Sequence, residues 1–245
     1  MKSPMNSPMI SVVRIAAAAA LWLSTAAVAS AHHLWLEVDG QNARIYFGEF
    51  GENLREASPG ALDKLQPQAK AVSASGERAL AVEKSANSFA VSGRLEAADS
   101  VVAEDGRYPS FERSRDGVKS RGIYVPAARF VPDRTPRAAV LTLDVVPVAG
   151  DKFQVVFKGK PLAKAKVSVI TPSGWAREVH GGDDGTFTVA LPWRGPYVFE
   201  VQHTDTTPGK RGDEAYDSAS YVTSLTVVQP QGVEPLPALP AAKPH

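Results

Sequence analysis

The sequence predicts an all-β protein built from two β-sandwich units behind a cleaved signal peptide. Short segments of alternating polar and apolar residues recur along most of the chain, and such alternation indicates half-buried strands. Turns rich in Gly, Asp, Asn and Pro separate these segments at a spacing typical of a sandwich. The chain also begins with a basic and then apolar stretch that ends in a small-residue motif, which is the pattern of an export signal.

The export signal occupies residues 1–31. Lys2 and Arg14 give it a positive start, its apolar run is rich in Ala and Leu, and Ala29-Ser30-Ala31 satisfies the small-x-small rule for signal peptidase. We therefore expect a periplasmic protein whose mature chain starts at His32. An uncleaved membrane anchor is the alternative, but the apolar run is shorter than a typical spanning helix.

Composition excludes several classes of function. The chain has no cysteine, which excludes disulfides, thiol catalysis, cysteine-based metal sites and a lipoprotein anchor. Its formal charge of +1 falls by two to −1 when Lys2 and Arg14 are removed, so the clustered positive charge that nucleic-acid binding needs is missing. No second long apolar run follows the signal, so we expect no membrane span in the mature chain.

The first predicted unit, residues 32–140, is a series of short strands. We expect these strands at residues 33–38, 43–47, 69–73, 79–83, 88–91, 100–103 and 122–130. One short helix is expected after Ser58-Pro59-Gly60, with Ser as the cap and Pro in the first turn, and Pro67 ends it. The charged stretch from Tyr108 to the last strand is predicted to be a loop.

The second predicted unit, residues 141–229, repeats this alternation. Its strands are expected at residues 153–157, 165–170, 186–191, 197–203 and 221–228, joined by glycine-containing turns. Residues 230–245 are rich in Pro and Ala and poor in large apolar side chains. This tail is therefore expected to be disordered or extended.

Several motifs carry a resemblance to a known family. They are residues 31–37 (AHHLWLE), residues 48–53 (GEFGEN), and the second-unit stretches 159–162, 183–188, 195–197 and 203–209. Together they resemble the exported proteins assigned as periplasmic components of cobalt or nickel uptake systems, a group otherwise known as a domain of unknown function. The second unit is separately similar to the carboxypeptidase-regulatory-like, or prealbumin-like, sandwich, which has an Ig-like architecture.

This resemblance covers nearly the whole mature chain and implies a function. It implies a non-catalytic protein that binds nickel or cobalt, or assists its uptake, next to a metal-uptake ABC transporter or an outer-membrane receptor. This chain departs from the family at His33, because members often carry Asp directly after the first His.

Histidines are the candidate metal ligands, because imidazole suits nickel, cobalt, copper and zinc. His32 is the strongest candidate, since cleavage would give it a free α-amine beside its own imidazole. His33 points the other way along the first strand and joins the site only if the chain bends there. His203 ends a predicted strand, where Asp205 would orient it. The predicted metal site is therefore His32 with His33, His203 and Asp205.

The remaining histidines and charged residues are given other roles. His180 is expected in a solvent-facing loop, and His245 in the solvated tail. The charged stretch from Glu49 to Glu56 is expected to be a solvated loop or a partner surface.

Two further classes of function stay open. One is a structural or interaction module, in which sheet edges accept a peptide strand and the histidines are incidental. The other is a copper oxidase with an N-terminal histidine brace, as in lytic polysaccharide monooxygenases. The sequence has no nucleophile elbow, no HExxH motif and no glycine-rich phosphate loop, so no catalytic residues are predicted.

Overall fold

Strands make up nearly all of the regular structure of the chain. A computed structural model describes residues 32–115 and 117–245, so the predicted signal peptide, residues 1–31, lies outside the described residues. The described part contains nineteen strands and two 3-10 helices but no α-helix, and the prediction of an all-β fold is confirmed. None of its helical segments has the length and apolar character needed to cross a membrane.

The elements follow one another in chain order. The first half contains β1 (His33–Asp39), β2 (Asn42–Glu49), the 3-10 helix η1 (Phe50–Glu52), β3 (Leu54–Arg55), the 3-10 helix η2 (Ala61–Lys64), β4 (Gln68–Ser73), β5 (Gly76–Lys84), β6 (Phe89–Ser92), β7 (Ser100–Glu104), β8 (Phe111–Arg115) and β9 (Val118–Val131). The second half contains β10 (Leu143–Ala149), β11 (Lys152–Phe157), β12 (Lys160–Pro161), β13 (Lys166–Ile170), β14 (Ala176–His180), β15 (Thr186–Thr188), β16 (Gly195–Asp205), β17 (Gly209–Arg211), β18 (Glu214–Tyr216) and β19 (Ser218–Gln229).

One large sheet runs through both predicted units. Its strand order is β1-β2-β6-β5-β4-β7-β9-β19-β16-β13-β14, with β3 added to β2 and β8 added to β9. All neighbours along this order are antiparallel except β9 and β19, which pair in parallel from Gly122↔Ser218 to Val131↔Val227. Because β9 precedes residue 141 and β19 follows it, this pair links the two predicted units within a single sheet.

The second sheet covers one face of the first. It has four strands, in the order β10-β11-β12 with β15 also on β11. Its side chains Phe153 and Phe187 pack against Phe199 of β16, with ring centroids 4.8 and 6.0 Å from that ring. Apolar residues of both sheets form the larger of the two main hydrophobic clusters, and the strands from β1 to β9 enclose the other.

Strand β1 is buried on both of its faces. Leu34 and Leu36 have no exposed surface and belong to the core enclosed by β1 to β9. Trp35 points the opposite way and packs with Phe50 and Val198 in a small separate cluster. Because successive side chains of a strand alternate between its faces, this pattern fixes the start of β1 between two layers. The strand therefore provides rigid support for the residues at its beginning.

Three predicted elements differ from the structure. His180, which was expected in a loop, is the last residue of β14. The predicted loop after Tyr108 contains β8, which forms a hairpin with an extended β9, and the side chains of Glu112 and Arg113 are exposed. Such a hairpin gives no polar–apolar alternation, so the pattern on which strand prediction depends is missing. The predicted helix after Gly60 is a single 3-10 turn, in which Asp63 accepts a hydrogen bond from the Gly60 N–H.

Candidate metal centre

Two histidines, one near each end of the described chain, meet at one buried carboxylate. Oε1 of Glu56 lies 2.6 Å from Nε2 of His32 and 2.9 Å from Nδ1 of His245. All three ligand atoms lie within 4.8 Å of one another. Within residues 32–115 and 117–245, this is the one group of three or more such side chains whose spacing suits a metal ion. We call it the His32–Glu56–His245 cluster.

The paired strands β2 and β3 place Glu56. Glu56 directly follows β3, and its backbone N–H donates to the carbonyl oxygen of Phe47 on β2 at 2.8 Å. The ring of Phe47 also packs against the ring of His32, with centroids 5.2 Å apart. The Glu56 side chain has no exposed surface, although the sequence predicted a solvated loop or a partner surface here. Its burial follows from an alternation that sends Leu54 and Glu56 to the same side of the chain.

Two side-chain hydroxyl groups hold the backbone at the start of β1. The carbonyl oxygen of His32 accepts a hydrogen bond from the hydroxyl of Tyr124, and that of Leu34 accepts one from Ser224 at 2.6 Å. These donors lie on β9 and β19, the two strands that pair in parallel. His32 is therefore fixed in place, with its side chain about three-quarters buried.

His245 reaches the cluster through extended chain, which we call the 233–245 segment. Val233 donates to the carbonyl oxygen of Pro192 at 2.9 Å, Leu239 donates to Pro172 at 2.9 Å, and Ala242 donates to Asn53 at 3.1 Å. His245 was expected in a solvated tail with no role in a site, whereas the structure brings it to Glu56. Its side chain remains 65% exposed, yet its ring and its backbone N–H both contact Glu56. No local sequence signal marks this contact.

The charge state of Glu56 follows from its partners. Burial on its own would raise the pKa of this carboxyl, but hydrogen bonds from His245 and His32 outweigh that effect and lower the pKa. An ionised carboxylate only accepts hydrogen bonds, so both rings donate an N–H to it. A metal ion at the cluster would displace those two protons and bind the same three atoms.

The second ring nitrogen of His32 faces a different carboxylate. Its Nδ1 lies 3.8 Å from Oε1 of Glu49, whose side chain is 13% exposed. The chelate predicted from the sequence, which joins the α-amine to the imidazole, can close only through Nδ1, because Nε2 lies on the far side of the ring. A metal held by that chelate would therefore lie beside Glu49, and a metal held by the cluster would lie beside Glu56.

His33 lies on the face of β1 opposite to Leu34 and Leu36, and it contacts a different carboxylate, that of Glu200. Its Nδ1 lies 3.6 Å from Oε2 of Glu200 on β16, and both side chains are close to nine-tenths buried. Burial, together with the neighbouring charge of Glu49, raises the pKa of Glu200 to about 8. The structure therefore places His33 next to His32 in the chain but not in the His32–Glu56–His245 cluster.

His203 and Asp205 lie elsewhere on β16. The His203 ring packs on Phe157 with centroids 4.4 Å apart, on the face of the strand opposite to Glu200. Asp205 accepts a hydrogen bond from Lys158 at 2.7 Å, which lowers the pKa of Asp205. The predicted grouping of these two residues with His32 is therefore not found. Lys158 engages the carboxylate that was expected to orient His203.

Comparison with family models and with curated proteins adds no relative. The sequence matches no protein-family model, and no curated protein is found to be similar to it. The resemblance to cobalt and nickel uptake proteins therefore stays a prediction, and the support for a metal role comes from the geometry of the cluster.

Proposed function

We propose that this chain is an exported, non-catalytic protein that binds a divalent transition metal at the His32–Glu56–His245 cluster and assists its uptake. The observation that carries the proposal is the convergence of two imidazoles on one oxygen of a buried carboxylate. Imidazole and carboxylate are ordinary ligands of first-row divalent metals. Nickel and cobalt are the first candidates because the start of the mature chain resembles proteins of nickel and cobalt uptake.

The donor set fits such an ion. Metal-bound nitrogen and oxygen donors sit about 2 Å from the metal and therefore about 3 Å from each other. The contacts to Glu56 are 2.6 and 2.9 Å, so a small outward movement of the exposed His245 ring would open the site. Three protein ligands leave coordination positions free for water or for a donor from a partner, as delivery to a transporter requires.

The burial of the Glu56 carboxylate favours a bound cation over a purely structural contact. A carboxylate removed from water is costly unless it is paired, and Glu56 has only the two rings and one backbone N–H as partners in the described part of the chain. The rings supply N–H donors to this carboxylate, whereas a divalent metal would supply two positive charges beside it.

Calorimetric titration of the processed chain with nickel chloride, cobalt chloride and zinc chloride tests the proposal. We expect one site per chain, with binding weakened at least tenfold in His245→Ala. Because the His245 side chain is mostly exposed, this variant should fold normally. His180→Ala is the matched control, since His180 is also exposed and lies 3.4 Å from one carboxylate, that of Glu178. Equal binding by wild type and His245→Ala would rule out the cluster as the site.

A further inference from the structure

The 233–245 segment is held mainly by backbone hydrogen bonds, with side-chain contacts from Glu234 to Arg194 and from His245 to Glu56. Its larger apolar side chains are exposed, at 64% for Val233, 53% for Leu236 and 39% for Leu239. None of its residues is buried, and Ala242 alone is partly buried. The segment therefore has little apolar packing to fix it, although it places His245 in the His32–Glu56–His245 cluster.

Asn53 makes two of the hydrogen bonds that hold the segment. Its side-chain amide donates to the carbonyl oxygen of Leu239 at 2.7 Å, and its own carbonyl oxygen accepts from the N–H of Ala242 at 3.1 Å. The next residue, Leu54, forms a parallel β-bridge with Ala242. The segment therefore runs beside the stretch from Asn53 to Glu56, which aligns His245 with Glu56.

The conformation of Asn53 suits this role. Its φ of 51° is left-handed, a region that Asn adopts more readily than most residues. Asn53 is the C-cap of the 3-10 helix η1, and the chain turns there into β3. Its side chain contacts the 233–245 segment, and Glu56 follows three residues later.

Docking of the 233–245 segment and metal binding are energetically coupled, because both involve His245. The conformational entropy lost by each ordered residue is comparable to what one exposed hydrogen bond returns, so a segment without buried side chains docks only weakly by itself. A metal bond to His245 would hold the segment in place. By thermodynamic linkage, the factor by which docking raises metal affinity equals the factor by which bound metal raises the docking equilibrium constant.

We propose that Asn53 is a positioning residue for the metal site and that metal binding and docking of the 233–245 segment are coupled. This inference rests on the proposed metal-binding function. The 233–245 segment then contributes one metal ligand and can undock. Its undocking would lower metal affinity at the point where a partner accepts the metal.

Two variants of the full chain test the coupling without touching a metal ligand. Asn53→Gly keeps the left-handed backbone but removes the side-chain donor. Ala242→Pro removes the N–H that bonds to Asn53 and leaves Asn53 itself intact, including its hydrogen bond from Arg55. We expect each to weaken nickel binding about three- to tenfold, as the loss of one hydrogen bond predicts. Asn87→Gly, at an exposed turn, is the control and should bind as wild type does.

Hydrogen exchange supplies a second readout, and its response to nickel is the part that a merely structural role of Asn53 would not produce. We expect nickel to slow exchange at the amides of Leu239 and Ala242 in the wild type, and Asn53→Gly to speed exchange at Leu239 without metal. The melting temperature of the metal-free variants should match that of the wild type. Normal nickel binding by both variants, with exchange that does not respond to nickel, would overturn the coupling alone. A wild-type chain that binds neither nickel nor cobalt would overturn the proposed function and the coupling with it.

Discussion

Nε2 of His32 lies 2.6 Å from Oε1 of Glu56, although one residue directly precedes β1 and the other directly follows β3. Strand β2 lies between them, because it pairs with β1 along its length and with β3 at its end. The contact is therefore fixed by three adjacent strands and not by a loop. Sites supported in this way hold their ligands in a defined geometry.

Replacing Glu56 with Gln tests how far metal affinity and the stability of the metal-free protein depend on the charge of this carboxylate. Gln keeps the size and the acceptor oxygen but removes the negative charge, so we expect nickel affinity to fall about 10- to 100-fold. Metal-free stability should also fall, by about 1–3 kcal/mol, because a buried charge-assisted hydrogen-bond network is weakened. Calorimetric titration and thermal unfolding measure the two effects.

Glu178→Gln is the matched control for that variant. Glu178 also lies near a histidine, His180, but both side chains are exposed on β14. We expect no change in metal affinity. A drop equal to that of Glu56→Gln would show that the loss comes from overall charge and not from the cluster.

An extra residue before His32 distinguishes between the two candidate metal positions, one at each nitrogen of its ring. The cluster uses Nε2, whereas a chelate with the α-amine needs Nδ1 beside Glu49. We expect a processed chain that starts with one additional Ala to bind nickel as tightly as the chain that starts at His32. Titration of the two forms, each verified by mass spectrometry, makes the measurement. Loss of binding in the extended form would move the metal to Nδ1 and Glu49.

The fold could be predicted because its signals are local. Alternation of Leu34, Trp35 and Leu36 predicts β1, and the Gly40-Gln41 turn predicts its hairpin with β2, as the register Asp39↔Asn42 confirms. The hairpin of β8 and β9 could not be predicted, since its exposed side chains give no periodic signal.

The candidate site could be predicted only in part. His32 stood out because of its place after a cleavage motif. Its partners depend on contacts distant in sequence: Glu56 is 24 residues away, and His245 is 189 residues from Glu56. The Pro-rich composition of residues 230–245 predicts extended backbone but does not indicate what the chain lies against. His203 has the local pattern of a ligand, yet the strand directs it away from the site.

Glu200 should make folding stability depend on pH. Its pKa is raised from 4.5 to about 8 by burial and by Glu49, and the other titratable groups that face it are His33 and Tyr124. Between these values the folded state keeps a proton that the unfolded state has lost, so the free energy of unfolding falls as pH rises. We expect the melting temperature to decline from pH 5 to pH 8, with a smaller decline in Glu200→Gln. An equal decline in both proteins would assign the effect to other groups.

The ion pair of Arg129 and Asp144 should be a main support of the fold. Neither side chain has exposed surface, and two parallel hydrogen bonds of 2.9 and 2.7 Å join β9 of the large sheet to β10 of the second sheet. Asp144→Ala would leave a buried guanidinium without its counter-charge, so we expect a loss of about 3–5 kcal/mol in the free energy of unfolding. Chemical denaturation measures it. Asp151→Ala removes the ion-pair partner of Arg134 at the surface, leaves its hydrogen bond to Gln229 and should cost less than about 1 kcal/mol. If the two variants were equally stable, the buried pair would not hold the sheets together, and apolar packing around Phe153 would have to carry that role.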